Sequence, residues 1–243
     1  MNRARLGRYA LWQFRDFAIE RGISILIIGL LWGYLAIEPM RRVMGPSWRV
    51  NPQLPLSQIV TMLASSIVAI SVLIALNGII SNDRKMGYYR FLFAKPVDPL
   101  FYYGQLFLVY LAGVVVAMLV LSGLFMIFAA KFNVLYLVLY TILIFIGMGG
   151  IGFFISAATR YDWVVLAAVW VGSRILRGVF GDSTDWRGKA VQILPPVHKV
   201  DEVAHSLIVN GTANVTDILW LLGYGALFFA LGLVVLRRRS MAS

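Results

Sequence analysis

The 243-residue chain contains no cysteine, which removes disulfides, thiolate metal sites and cysteine nucleophiles together. It is poor in acid, with 11 Asp and Glu, and it has two histidines, so carboxylate and imidazole chemistry have few positions to occupy. No Gly-x-x-x-x-Gly-Lys-Ser/Thr phosphate loop occurs, so ATP hydrolysis by that device is excluded within this chain. Charged residues make up 14% of the whole, against about 25% in a soluble domain. The first 22 residues carry five arginines and no continuous apolar core before Ile23, a pattern unlike a cleavable signal peptide.

What the chain has instead is apolar length. Hydrophobic residues reach 60% and the mean hydropathy is +0.80. A helix rising about 1.5 Å per residue crosses the hydrocarbon core in roughly 20 residues. Apolar windows set against charge breaks give six candidate spans: residues 23–37, 57–80, 101–130, 132–158, 163–180 and 218–236. The first is short and must recruit flanking residues or thin the bilayer; the third is long and must tilt, kink or protrude. The reading is an all-α integral membrane protein with one transmembrane domain over residues 1–243, held by helix packing alone.

Residues 1–22 read as an interfacial helix. Leu6, Tyr9, Ala10, Phe14 and Phe17 gather on one side at helical periodicity, with Arg8 and Arg15 opposite, although Gln13 and Glu20 interrupt the apolar face. Counting Lys and Arg on alternate sides then sets orientation. With the N-terminus inside, 13 cations fall on the inner side, seven on the outer side, and two, Arg174 and Arg177, within a span. After subtracting acids, the inner side carries +8 and the outer side +1, so both termini are expected in the cytoplasm. The sequence pI near 10.2 therefore follows the inner leaflet, and no groove-reading motif accompanies it, so membrane lipid and not nucleic acid is the expected partner.

The connections differ in character. Residues 38–56 read as an outer loop in which Pro39, Pro46, Pro52 and Pro55 argue against a long regular helix. Lys131 and residues 159–162 mark tight turns on the outer and inner sides. Residues 181–217 form the largest outer segment: loop-like over 181–188, apolar over 190–197 but broken by Pro195-Pro196, then a short helix over 200–209 ended by Asn210-Gly211. Its apolar content predicts a re-entrant segment folded back on the membrane. Gly147-Met148-Gly149-Gly150-Ile151-Gly152 superficially matches a dinucleotide loop, but it lies inside an apolar run, where it serves close helix packing with Gly152 and Ser156 as a small-xxx-small pair. No internal repeat is visible, which weakens an inverted-repeat transporter.

Between the second and third spans lies Asp83-Arg84-Lys85-Met86-Gly87-Tyr88-Tyr89-Arg90-Phe91-Leu92-Phe93-Ala94-Lys95-Pro96-Val97-Asp98. Cations, aromatics, a glycine and a terminal proline together suggest a short amphipathic helix, residues 83–97, offered to a soluble partner. Positive-inside bias alone explains the cations; it does not require Tyr88, Tyr89, Phe91 and Phe93, which are the anchors that dominate interfaces.

Polar groups within the spans are the remaining candidates. Ser57, Thr61 and Ser65 recur at four-residue spacing, where packing or bonding to their own helix competes with lining a pathway. Asn77 is costly to bury and stands at the inner mouth or braces the loop that follows. Arg174 and Arg177 share one face, and intramembrane charge is a functional hypothesis by default. Substrate or anionic headgroup contact competes there with snorkelling or pairing to Asp182, Asp185 or Asp217. His198, Asp201, Glu202 and His205 share a helical face whose residue types suit zinc, yet the spacing is not His-Glu-x-x-His and a solvated charged face is favoured. Asn210 and Asn214 head glycosylation patterns that are expected to go unused.

This order of elements resembles the permease subunits of ATP-binding cassette (ABC) transporters, specifically the type-2 export permeases. The match runs from Asn77-Gly78 through Asp83-Arg84-Lys85-Met86-Gly87 to Lys95-Pro96-Val97, then Phe101 and Gly104-Gln105, with Leu194-Pro195-Pro196-Val197-His198 before the last span and Arg237-Arg238-Arg239 after it. Lys85 and Tyr88 depart from the family's usual acid and threonine. The resemblance implies that residues 83–97 form a coupling helix gripped by an ATP-hydrolysing subunit, with Asp83, Arg84, Lys85, Gly87, Tyr88, Arg90, Phe91, Lys95 and Pro96 at the contact. It implies two ATPase subunits holding ATP and Mg, a second permease subunit, identical or homologous, and a bacterial cytoplasmic membrane. Spans two and five, with Thr61, Ser65, Asn77, Arg174 and Arg177, would line the path of a hydrophobic or amphipathic substrate. The chain itself would bind no cofactor or metal and catalyse nothing. Two other classes remain open: an ion-coupled transporter or channel using Arg174, Arg177 and nearby acids, and a membrane metalloenzyme built on the outer His-Asp-Glu-His face.

Overall fold

The computed structural model describes residues 3–44, 56–85, 98–128, 133–159, 162–181, 183, 185–193, 197–212 and 214–240. Among them all regular structure is helical. α1 (Arg3–Phe17) passes through a π-helical turn (Ala18–Gly22) into α2 (Ile23–Met44); α3 (Leu56–Leu76) and the short α4 (Ser81–Lys85) follow. Then come α5 (Pro99–Phe128), α6 (Val134–Ala158), α7 (Asp162–Phe180), α8 (Trp186–Ile193), α9 (Val197–Ala204) with its π-helical continuation (His205–Val209), and α10 (Val215–Ser240). Five stretches are long and apolar enough to cross a membrane: Gly7–Leu35, Ala64–Asp83, Pro99–Ile127, Val134–Ala158 and Val215–Arg238. The protein is a multi-pass, all-α membrane protein. The remaining expected span, residues 163–180, is helical as the 19-residue α7.

Three of these helices start where the sequence supplies a side-chain cap. The Oδ1 atoms of Asp98, Asn133 and Asn214 accept from the amides of Leu100, Leu135 and Thr216 at 2.9, 3.0 and 3.1 Å, and Pro99 adds a fixed φ at the first turn of α5. Asn214, read as a glycosylation candidate, thus has its side-chain oxygen in a helix cap.

α6 is the central helix. It packs on α3, α5, α7 and α10, and residues such as Tyr140, Ile144, Phe145 and Phe153 are wholly buried. Apolar side chains gain little by leaving lipid for protein, so close van der Waals contact between helices must supply the stability. The glycine run supplies it: a Cβ on Gly150 would lie 2.0 Å from the Gly225 carbonyl oxygen, and one on Gly225 would lie 2.3 Å from that of Ile146. Only glycine lets these two backbones touch. Phe107, Phe145, Phe153 and Phe229 fill the next layer; the Phe107–Phe229 and Phe153–Phe229 centroids are 4.8 and 4.7 Å apart.

α1 and α2 run alongside α5 in the same direction. Phe17 fits over Gly113, Gly29 sits beside Leu121, and Gly33 sits beside Phe125. Gln13, which interrupts the apolar face of α1, is buried. The other side of α2, with Ile27, Leu31, Tyr34 and Leu35, is exposed, as are Leu219, Leu227 and Val234 of α10. Such apolar surface suits a lipid environment.

Several expected boundaries move. The break expected at Gly22 is a π-turn, with Phe17 and Ile23 both in right-handed helical conformation, so the backbone stays helical from α1 into α2. α2 continues past residue 37 and through Pro39 to Met44; a proline removes one backbone donor and crowds the preceding turn, a cost that a membrane helix can absorb. The helix of the second span, α3, ends at Leu76, because Gly78 adopts φ +73° and turns the chain, while the apolar stretch itself runs on to Asp83. Residues 181–188, read as loop, contain the start of α8 at Trp186; the turn before it needs a glycine at 188, where a Cβ would meet the Ser183 carbonyl oxygen at 1.8 Å. The helix expected over 200–209 begins at Val197, buries Val200, Val203, Ala204 and Leu207, and packs against α3, α6, α7 and α10. It ends at Gly211, φ +64°.

Candidate functional site

Side chains from three helices meet at the C-terminal end of α3, where the chain turns toward the basic, aromatic segment. The last carbonyls of α3 lack intrahelical partners. Arg21, from the π-turn after α1, supplies a donor: its Nη1 donates to the Ala75 carbonyl and, at 3.4 Å, to that of Ile74, while its guanidinium lies 4.7 Å from the Tyr110 ring centroid. A cation at a helix C-terminus also opposes the negative end of the helix dipole.

Gly78 then turns the chain. Its Cβ would fall 2.3 Å from the side-chain nitrogen of Asn82, and its positive φ disfavours any L side chain. Beyond the turn, the amides of Ile80 and Ser81 both donate to the Oγ of Ser156, at 3.2 and 3.3 Å. Ser156 is fully buried near the end of α6. The hydroxyl therefore satisfies two backbone donors at the start of α4. Two residues further on, Tyr103 of α5, itself fully buried, donates its hydroxyl to the half-buried Asp83 carboxylate at 3.0 Å. A neighbouring guanidinium, a phenol and a set of apolar walls thus surround the one acid of this turn.

Of the residues expected to contact an ATPase, Asp83 is held as described, and Arg84 and Lys85 close the backbone of α4. Gly87, Tyr88, Arg90, Phe91, Lys95 and Pro96 lie outside the described residues. Of the pathway candidates, Ser65 is buried within α3 and the Thr61 side chain lies outside the described residues. Asn77 is exposed in the turn, its amide bonded to the Leu73 carbonyl at 3.1 Å; the bracing expected of it comes from Arg21, Tyr103 and Ser156. Ser71 bonds its own helix, donating to Ile67 at 2.6 Å.

Arg174 and Arg177 occupy the far end of α7. Arg174 is exposed, 5.7 Å from the Trp170 ring centroid, and Arg177 is half-buried. α7 begins just after the C-terminal end of α6, so the 12 residues from Asp162 to Arg174 place Arg174 about 18 Å along the helix, well away from Asn77. Among the described side chains, Asn77 is not brought together with Arg174 and Arg177. Asp217, a possible counter-charge for these arginines, is buried and paired with Lys199. Glu202 and His205 are exposed, the side chains of His198 and Asp201 lie outside the described residues, and no group of three or more potential metal ligands occurs among the described ones.

Sequence reasoning missed Tyr103 altogether and counted Arg21 only as an inner-side cation. A signal was present. Asn77-Gly78 is a turn dipeptide inside an apolar run, and such a turn leaves backbone donors and acceptors that neighbouring side chains must satisfy. Compared with models of known protein families and with curated proteins, the chain matches none.

Proposed function

We propose that the protein is the permease subunit of an ABC exporter, moving a hydrophobic or amphipathic substrate such as a lipid, glycolipid, drug or peptide across the cytoplasmic membrane. The observation that carries this reading is the sequence of residues 83–97: four cations and four aromatics between two apolar helices, entered through a turn tied to three other helices. Aromatics beside cations are the composition of a docking surface, and a soluble ATPase is the partner that the resemblance supplies.

In this reading the membrane domain has six spans, with α7 as the fifth and both termini in the cytoplasm. Two ATPase subunits hold ATP and Mg, grip residues 83–97 of each of two permease subunits, and alternate the cavity between those subunits from inward to outward access. The chain contributes differential binding of substrate between two conformations and no catalytic step of its own. In the same reading the helical segment from Val197 to Val209, folded into the opposite end of the bundle, covers the outlet.

The test is co-purification with the ATPase encoded beside it, followed by ATPase assays of wild type and the Tyr88→Ala/Phe91→Ala double variant. The double variant is expected to lose binding and stimulation. Equal binding and equal stimulation in both would remove the coupling assignment.

A further inference from the structure

Arg21, Tyr103 and Ser156 come from three different helices, and all three bind a stretch of ten residues, Ile74 to Asp83. We propose that they are positioning residues that lock the Gly78 elbow, so that a displacement of the segment after α4 is passed to α1, α5 and α6 instead of being absorbed in the turn; this rests on the coupling reading above.

A glycine with positive φ gives the chain its turn but no stiffness, since glycine has the widest choice of backbone conformation. An elbow of that kind, left alone, would flex when a partner pushed on the loop beyond it. Here each side of the elbow is fixed. Arg21 holds the carbonyls before it, and Ser156 holds the amides of Ile80 and Ser81 after it. Tyr103 holds Asp83, the last acid before the basic run. Rotation of α4 about Gly78 would break both bonds to Ser156 in a buried site, where lost backbone partners are not replaced by water. The cheaper motion carries α6 along. α6 in turn touches α10 along the glycine seam and reaches the Val200 carbonyl through the Tyr140 hydroxyl, at 3.3 Å, near its other end.

The absence of cysteine makes the test direct, because any introduced thiol is unique. In nanodiscs, hydrogen exchange at the Ile80 and Ser81 amides is measured for wild type and Ser156→Ala. Exchange is expected to quicken about fivefold, the effect of one typical hydrogen bond, while the Asn77 amide, bonded to Leu73, is unchanged. Unchanged exchange at Ile80 and Ser81 overturns the lock, whatever the partner does. A spin label at Thr212→Cys, exposed at the far end, and another at Lys95→Cys then report ATP-driven movement with the ATPase bound. In Ser156→Ala the Lys95 label is expected to respond as in wild type and the Thr212 label to lose most of its response; an undiminished Thr212 response overturns transmission. Tyr103→Phe, which keeps the ring, is expected to weaken the Thr212 response without changing exchange at Ile80 and Ser81. Failure of the wild-type chain to bind the ATPase overturns the coupling reading and transmission with it, and the exchange result still decides the lock.

Discussion

Replacing Gly150 with alanine tests whether direct backbone contact between α6 and α10 holds the bundle together. The added Cβ would lie 2.0 Å from the Gly225 carbonyl oxygen, and Cβ atoms essentially never approach within 3.0 Å, so the two helices must separate by about 1 Å along that contact. The obstacle is backbone and cannot swing aside. Overpacking of this kind costs about 1–3 kcal/mol, and here it is opposed by a helix-propensity gain of about 1 kcal/mol for removing a glycine. Gly223 supplies the control: it lies on α10 two residues before Gly225, is exposed, and its Cβ would meet nothing within 4 Å. Gly223→Ala should therefore be neutral or slightly stabilising, whereas Gly150→Ala and Gly225→Ala should both destabilise. The double variant should cost less than the sum, because one separation of the helices relieves both clashes. Reversible unfolding in mixed detergent micelles measures all four. A Gly150→Ala variant no less stable than Gly223→Ala would refute the seam.

The Lys199–Asp217 ion pair makes a second test: Asp217→Asn, which leaves the Lys199 ammonium beside a neutral, mostly buried amide, should lower stability by about 1–3 kcal/mol. The Lys199→Met/Asp217→Leu pair should recover part of that loss, as replacing both charges by apolar groups removes their desolvation cost; thermal unfolding in detergent distinguishes the two. Asn133→Ala and Asn214→Ala should each cost about 1 kcal/mol, because each removes the side-chain cap of a long helix, and hydrogen exchange should quicken in the first turn of the helix concerned and nowhere else. On the exporter reading, Arg174→Glu should abolish transport while leaving assembly with the ATPase intact, and unchanged transport would remove Arg174 from the pathway.

The helices were legible because the long apolar runs that fill them are local signals. Their starts were expected at residues 101, 132 and 218, and the caps at Asp98, Asn133 and Asn214 emerge only from the structure. The packing role of the run from Gly147 to Gly152 was legible for the same reason, since an apolar context leaves glycine little else to do. The continuation of α2 through Pro39 was not, because local propensity weighs a proline against a helix and cannot see what the rest of the bundle offers in compensation. The end of α3 at Leu76 was obscured by the apolar residues around Asn77-Gly78; Ile79 and Ile80 are fully buried after the turn just as they would be within a span. The partners of the turn were hidden most completely. Arg21 and Ala75 are 54 residues apart, Ile80 and Ser156 are 76 apart, and no periodicity connects them.

In a chain this apolar, the few directional bonds carry information that the many apolar contacts do not. Phenylalanines and leucines can slide past one another in lipid at small cost, since their surroundings stay equally apolar. A backbone amide or carbonyl bonded to a buried hydroxyl cannot slide. α6 has such a bond near each end, through Tyr140 to the Val200 carbonyl and through Ser156 to the amides of Ile80 and Ser81; the 16 residues between them span about 24 Å, close to the thickness of a hydrocarbon core. The middle of α6 is glycine and apolar surface. The helix is therefore fixed in register to the Val197–Val209 segment at one end and to the Gly78 elbow at the other, with a smooth seam between. A strut built this way moves as a unit or not at all, which is why one hydroxyl at Ser156 is a sharper probe of the mechanics than any residue of the phenylalanine cluster.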